Sequence, residues 1–164
     1  MSDQNLGKKM VEEMQLELFV DAYQHATGQR LGIGGAGERP DFICERPNGE
    51  QVGVELTEVR TGFGYISSGV QDVVAAKAEK LNSGDWRLAY NTMLVLIVTW
   101  GSLSKLKDAW DMKDPENFDR GFVEVWVADY SGVDAFGNVE LFGLFPKAIW
   151  GYYRRPNWGS KPYG

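Results

Sequence analysis

The feature that most constrains this chain is an unbroken apolar run near its middle, Leu94-Val95-Leu96-Ile97-Val98, within Met93 to Trp100. Alternation is absent, so neither face of such a segment can be given to water. A strand buried on both sides, at the centre of a mixed sheet with helices over both faces, satisfies that composition. Other segments fit the same architecture. Lys8 to Ala26 reads as a helix whose buried stripe is Val11, Met14, Leu18 and Ala22, widened by Phe19 and Tyr23, with Thr27-Gly28 as its stop. Ser67 to Leu81 reads as a second helix, with Ile66, Val70, Val73, Val74 and Leu81 at helical spacing. Phe122-Val123-Glu124-Val125-Trp126-Val127 alternates as a strand with Glu124 outward, and Val139 to Phe145 is a last strand before Pro146. Between them, Leu103 to Trp110 reads as a short helix and Asp111 to Arg120 as a charged loop. The expectation is one α/β domain over residues 1–164, a mixed β-sheet of about five strands flanked by helices.

Upstream of the apolar run lies a hairpin with chemistry on it. Pro40-Asp41-Phe42-Ile43-Cys44 and Val52-Gly53-Val54-Glu55-Leu56-Thr57 flank the turn Pro47-Asn48-Gly49, whose Asn and Gly accept positive φ cheaply. Period-two alternation puts Val52, Val54 and Leu56 on one face and Gly53, Glu55 and Thr57 on the other. Phe42 and Cys44 point opposite to Asp41 and Ile43. Asp41 and Glu55 therefore share a face if the register allows, and two carboxylates on adjacent strands can hold a hard divalent cation. Such a cation polarises a phosphoryl oxygen and activates water. An ordinary hairpin with a polar outer face would carry the same pattern.

Arg39-Pro40-Asp41-Phe42 followed by Gly53-Val54-Glu55-Leu56-Thr57 resembles the PD-(D/E)xK nuclease superfamily. The resemblance implies a restriction-endonuclease-like fold and a Mg²⁺ (or Mn²⁺) ion held by Asp41, Glu55 and the Leu56 carbonyl. It further implies a lysine beside the attacked phosphate. At the usual strand position for that lysine this chain carries Thr57, a departure that removes a positive charge. Some members of the family place the lysine on the following helix, where Lys77 would satisfy it, with Lys80 as second choice. The family also often places a glutamate on the first helix near the metal; Glu17 is the candidate here, although Glu13 and Glu17 equally suit a solvated helix edge.

Lys77 is notable without any resemblance. It lies three after Val74, four after Val73 and seven after Val70, in the middle of an apolar stripe. A lysine aimed at a core is costly unless paired or able to reach water. If this helix packs on the sheet, Asp41 and Glu55 are its natural partners; otherwise its stem lies along apolar surface with the amine in water.

Several chemistries are excluded or weakened. Gly32-Ile33-Gly34-Gly35-Ala36-Gly37 has the letters of a dinucleotide fingerprint, but it follows a helix and precedes a strand, the reverse of the required context. It reads as a flexible connection. The sole histidine, His25, and sole cysteine, Cys44, leave no triad base and no zinc cage. One cysteine, a polar Ser2–Asn5 start and no long apolar run make a cytoplasmic protein with no membrane partner the expectation. A net charge of −6 does not favour nonspecific attraction to polyphosphate. Beyond Lys147, however, Arg154, Arg155 and Lys161 interleave with Tyr152, Tyr153, Trp158 and Tyr163, and no acid intervenes. That tail suits either stacked nucleic acid or a segment folded back on the domain. Asp129 is a site candidate or a turn cap.

Two functional expectations follow. One is a metal-dependent nuclease in which Asp41, Glu55 and Lys77 act on DNA or RNA, with a homodimer as one way to cut a duplex. The other is the same fold without catalysis, binding a protein partner as a regulatory module.

Overall fold

The computed structural model describes residues 3–59, 66–99, 118–131 and 139–153. The expected helix at 103–110, most of the loop at 111–120 and the basic aromatic tail from Arg154 onward lie outside those residues.

The described elements are α1 (Asp3–Thr27), β1 (Gly32–Ala36), β2 (Phe42–Glu45), β3 (Gln51–Glu58), α2 (Ile66–Ser83), β4 (Thr92–Val98), β5 (Glu124–Asp129), β6 (Glu140–Phe145) and β7 (Gly151–Tyr153). The strands form one open mixed sheet in chain order. β1, β2 and β3 are an antiparallel meander, β3, β4 and β5 are parallel, and β6 and β7 return antiparallel. The expected mixed α/β sheet is observed, larger than five strands because two short edge strands extend it. No helix among the described residues is long and apolar enough to cross a membrane.

β4 is buried at every position, as its unbroken apolar run requires. Its odd and even residues serve different layers. Met93, Val95 and Ile97 pack with α1 through Leu16, Phe19, Val20 and Tyr23. Leu94, Leu96 and Val98 pack with α2 through Val70, Val74, Ala78 and Leu81. Each helix thus covers one face, and the hairpin alternation sorts as expected: Phe42, Cys44, Val52, Val54 and Leu56 lie on the α1 side.

Three sequence expectations are corrected. The expected stripe of α1 holds only toward its C-terminal end: Phe19, Ala22 and Tyr23 are buried and Leu18 packs on the core, but Val11 and Met14 are 49% and 56% exposed, and Leu16 and Val20 are fully buried instead. Leu6, Met10 and Met14 sit on the opposite, solvent-facing side, so α1 carries apolar residues on two faces and its period is ambiguous in sequence. The glycine segment is not a free connection but strand β1, antiparallel to β2. A Cβ at Gly34 would lie 2.6 Å from the Ile43 carbonyl oxygen, so the glycine permits that close pairing.

Glu124 does not point to solvent. Its Oε1 accepts from the Trp126 indole at 2.8 Å and its Oε2 from Arg46 Nη2 at 2.9 Å, while the Tyr23 hydroxyl donates to it at 3.0 Å. This network ties the end of α1 to the β2–β3 turn and β5, and burial together with Glu124 pushes the Tyr23 hydroxyl up to about 12. Finally, residues just beyond β6 fold back on the domain. Trp150 packs edge-on against Phe142 at 5.3 Å, and the Tyr153 ring lies 5.7 Å from Trp126.

Candidate active site

β2 ends its pairing with β3 at Phe42↔Val54, while β3 continues against β4 as far as Glu58↔Ile97. Residues 55–58 therefore keep a neighbour on the β4 side and lose β2 on the other. Asp41, one residue before β2, stands at the head of this open stretch.

The two acids expected to converge do so. The Asp41 backbone N–H donates to Glu55 Oε1 at 3.1 Å, and the Leu56 N–H donates to Asp41 Oδ2 at 2.9 Å. Each residue thus positions the other through the main chain. In a strand the N–H and C=O of one residue leave the same side, so the Leu56 carbonyl is also directed off the open edge. Gly53 makes the arrangement possible: a Cβ there would lie 2.6 Å from Pro40 Cγ and 2.5 Å from Thr92 Oγ1. Pro40 rests on that bare backbone and aims the next residue, Asp41, at Glu55.

Lys77 arrives from α2, the helix on this face of the sheet. Its Nζ is 2.9 Å from Glu55 Oε2, with the two side chains 21% and 6% exposed. The stripe position that made this lysine anomalous in sequence is explained by that ion pair. Lys77 reaches Glu55 and not Asp41, so the charge on Asp41 is the one left without a cation. Burial, reinforced by the negative Glu55 carboxylate, raises the Asp41 carboxyl from 3.8 to about 7. The Leu56 N–H opposes the rise, and the Glu12 charge and a hydrogen bond between the two carboxyls add to it. A proton shared between adjacent acids is the expected state of such a pair.

A cavity of about 330 Å³ opens on these groups, lined by Asp41, Glu55, Leu56, Thr57 and Lys77 and, from α1, by Lys8, Glu12 and Gln15. Thr57 thus lies in the site at the position a strand lysine would take. Glu17 and Lys80 do not: both are exposed and neither lines the cavity. The α1 acid that faces Asp41 is Glu12, which the sequence reading passed over. Its signal was present, because stepping back four residues from Leu16 along the true buried face lands on Glu12.

The remaining candidates are placed elsewhere. Asp129 is buried, and its Oδ1 accepts the Ser131 N–H at 2.8 Å, the turn-cap alternative. His25 is exposed in the last turn of α1. Cys44 is buried and its thiol is pushed up to about 11 by burial, which makes it a poor nucleophile.

No three His, Cys, Asp or Glu side chains among the described residues gather around one point as a metal cage. The donors at the notch are instead two carboxylates and a main-chain carbonyl. That set suits Mg²⁺ or Mn²⁺, since magnesium is commonly held by one or two carboxylates and keeps several waters. Comparison of the chain with family models, with curated proteins and with solved structures found no match.

Proposed function

We propose that the protein is a metal-dependent nuclease of the PD-(D/E)xK type. The observation that carries the reading is the convergence of Asp41 and Glu55 at the open edge of β3, with Lys77 paired to Glu55 from α2. The order of elements from α1 to β4 supports it, since proline-aspartate and acid-x-x fall at the ends of neighbouring strands as the resemblance requires. Asp41, Glu55 and the Leu56 carbonyl would hold Mg²⁺ or Mn²⁺. When bound, the ion supplies Lewis-acid polarisation of a phosphoryl oxygen and makes water more acidic.

The chain's own groups do the rest. Asp41 would have to be ionised to serve as a ligand, so cation binding there would compete with a proton. Lys77, held by Glu55, donates toward the phosphate oxygens or the attacking water and stabilises the charge that develops there. Water adds to phosphorus as the bond to the leaving oxygen breaks; the water's proton passes to solvent and the leaving oxygen takes a proton from solvent, giving a phosphate monoester and an alcohol. Thr57 can hydrogen-bond that water but adds no charge.

One observation favours the noncatalytic alternative, a regulatory module binding another protein. Both Glu55 oxygens already have protein donors, Asp41 N–H and Lys77 Nζ. Calorimetric titration of Mn²⁺ into wild type, Asp41→Ala and Glu55→Ala separates the two, paired with cleavage assays on DNA and RNA. The nuclease reading expects saturable binding that is lost in both variants, and cleavage that Lys77→Met abolishes without loss of metal. Cleavage that survives Glu55→Ala, or no metal binding even with substrate present, refutes it.

A further inference from the structure

Beside Asp41 the surface changes character. The Arg87 backbone N–H donates to the Arg39 carbonyl at 3.0 Å, so the loop before β4 is tied to the residue two before Asp41. Arg39 and Arg87 are both exposed. Among the described residues neither forms an ion pair, although Glu38 and Asp85 are close by along the chain. In a chain of net charge −6, two exposed arginines whose backbones meet beside a carboxylate site stand out.

Two aromatic residues stand on the same loop. Trp86 is half-buried and its indole N–H donates to the Lys80 carbonyl at 3.1 Å, anchoring the loop to α2. Tyr90 is 82% exposed, the most open of the large apolar side chains described. Its backbone setting is firm. Leu88 adopts the left-handed region at φ 56°, and its carbonyl accepts from Asn91 N–H at 2.8 Å and from Thr92 Oγ1 at 2.7 Å. The Asn91 side chain in turn donates to the Gln51 carbonyl. A ring so exposed on a hydrogen-bonded turn loses little freedom when something stacks on it.

We infer that Arg39, Arg87 and Tyr90 form a docking ledge for an unpaired nucleic-acid strand entering the Asp41–Glu55 site. The two guanidinium groups take phosphates flanking the scissile one, and the Tyr90 ring stacks a base one or two nucleotides away. Thr92, two residues after Tyr90, lies opposite Gly53 and so about 7 Å along the strand from Glu55, which puts the turn near the site but beyond its first nucleotide. A duplex keeps its bases stacked on one another and offers Tyr90 no free face, so the ledge selects a single strand or a frayed end. This inference rests on the nuclease reading, and its test is arranged to fail separately.

Fluorescence anisotropy of a labelled twelve-residue oligo-dT and of a blunt duplex of equal length reads the ledge directly, with Ca²⁺ replacing Mg²⁺ so that binding proceeds without cutting. The wild type is expected to prefer the single strand. Tyr90→Ala should weaken it by about 5- to 150-fold while Tyr90→Phe retains it. Arg39→Ala and Arg87→Ala should each reduce the slope of log affinity against log salt by about 0.7. Mn²⁺ titration of the same variants should match wild type, which checks that the fold and the acid pair are intact. Unchanged oligonucleotide affinity in all the ledge variants, with cleavage still abolished by Glu55→Ala, overturns the ledge and leaves the nuclease reading in place. A wild type that neither binds nor cuts nucleic acid overturns the nuclease reading, and the ledge falls with it.

Discussion

Asp41→Asn should stabilise the protein at pH 8 while destroying the metal site. In wild type the folded acid is raised from 3.8 to about 7 by burial and by Glu55. Between about pH 4 and pH 7 the folded state therefore holds a proton that the unfolded chain has released. Stability falls as pH rises through that window, and the full penalty is present above it. At about 1.4 kcal/mol per tenfold change in proton affinity, the ceiling is roughly 4 kcal/mol. Asp41 is only partly buried and faces an open cavity, so solvent screening leaves about 1–2 kcal/mol of that. Asparagine keeps the acceptor for the Leu56 N–H and offers an amide N–H toward Glu55, so the local bonding survives. The expected result is a Tm about 2–8 °C above wild type at pH 8, shrinking toward zero near pH 4. Urea unfolding at both pH values measures the same quantity. Saturating Mn²⁺ should reverse the order, because binding at 100-fold over Kd adds about 2.7 kcal/mol to wild type alone. A variant less stable than wild type at pH 8, or a difference that does not change with pH, would refute the account of a charge-starved acid pair.

Gly53→Ala should cost about 1–3 kcal/mol by denaturant unfolding, since its Cβ meets Pro40 and Thr92, and it should weaken Mn²⁺ binding because Pro40 aims Asp41. Arg46→Met should cost about 2–3 kcal/mol by leaving half-buried Glu124 without its cation; partial recovery with Glu124→Gln added checks the cause. Leu16→Ala should cost about 2–5 kcal/mol and Met14→Ala almost nothing, in line with their full burial and 56% exposure; equal losses would restore the stripe first read from sequence. Thr57→Lys introduced into Lys77→Met should recover cleavage, with unaltered inactivity of the double variant counting against a charge role for Lys77.

The parts legible in sequence were those in which one residue type has only one affordable environment. The Leu94–Val98 run could only be a strand covered on both faces. Alternation around Val54 marked a strand, and a lysine inside the Val70–Val74–Leu81 stripe called for either a carboxylate partner or a route to water, of which the Glu55 pairing is observed. Register supplied what alternation could not, the meeting of Asp41 with Glu55. The first helix is ambiguous in sequence because Val11, Met14, Leu18 and Ala22 repeat at helical spacing as faithfully as Leu16, Phe19, Val20 and Tyr23 do. Only the sheet beneath decides which set is buried, and that choice moved the helix acid of the site from Glu17 to Glu12. The glycine segment was misread for a related reason. Glycine has no strand preference of its own, so β1 exists through pairing with β2, a long-range fact that local composition does not carry.

Placing the lysine on α2 instead of β3 has a physical consequence for the whole site. A lysine at position 57 would stand beside Glu55 on the same strand face, fixed by the pleat at about 7 Å along the chain. Lys77 instead descends from the covering helix onto Glu55 Oε2, so its ammonium is held by packing of Val70, Val74 and Leu81 against the sheet. Position 57 is then free to be small, and the cavity stays open where a strand lysine would have filled it. The same placement neutralises Glu55 and leaves Asp41 as the unbalanced charge. The asymmetry of the pair therefore follows from which element supplies the cation. Under the nuclease reading, the charge at Asp41 would attract a divalent ion, and Arg39 and Arg87 beside it would attract the phosphates that ion acts upon.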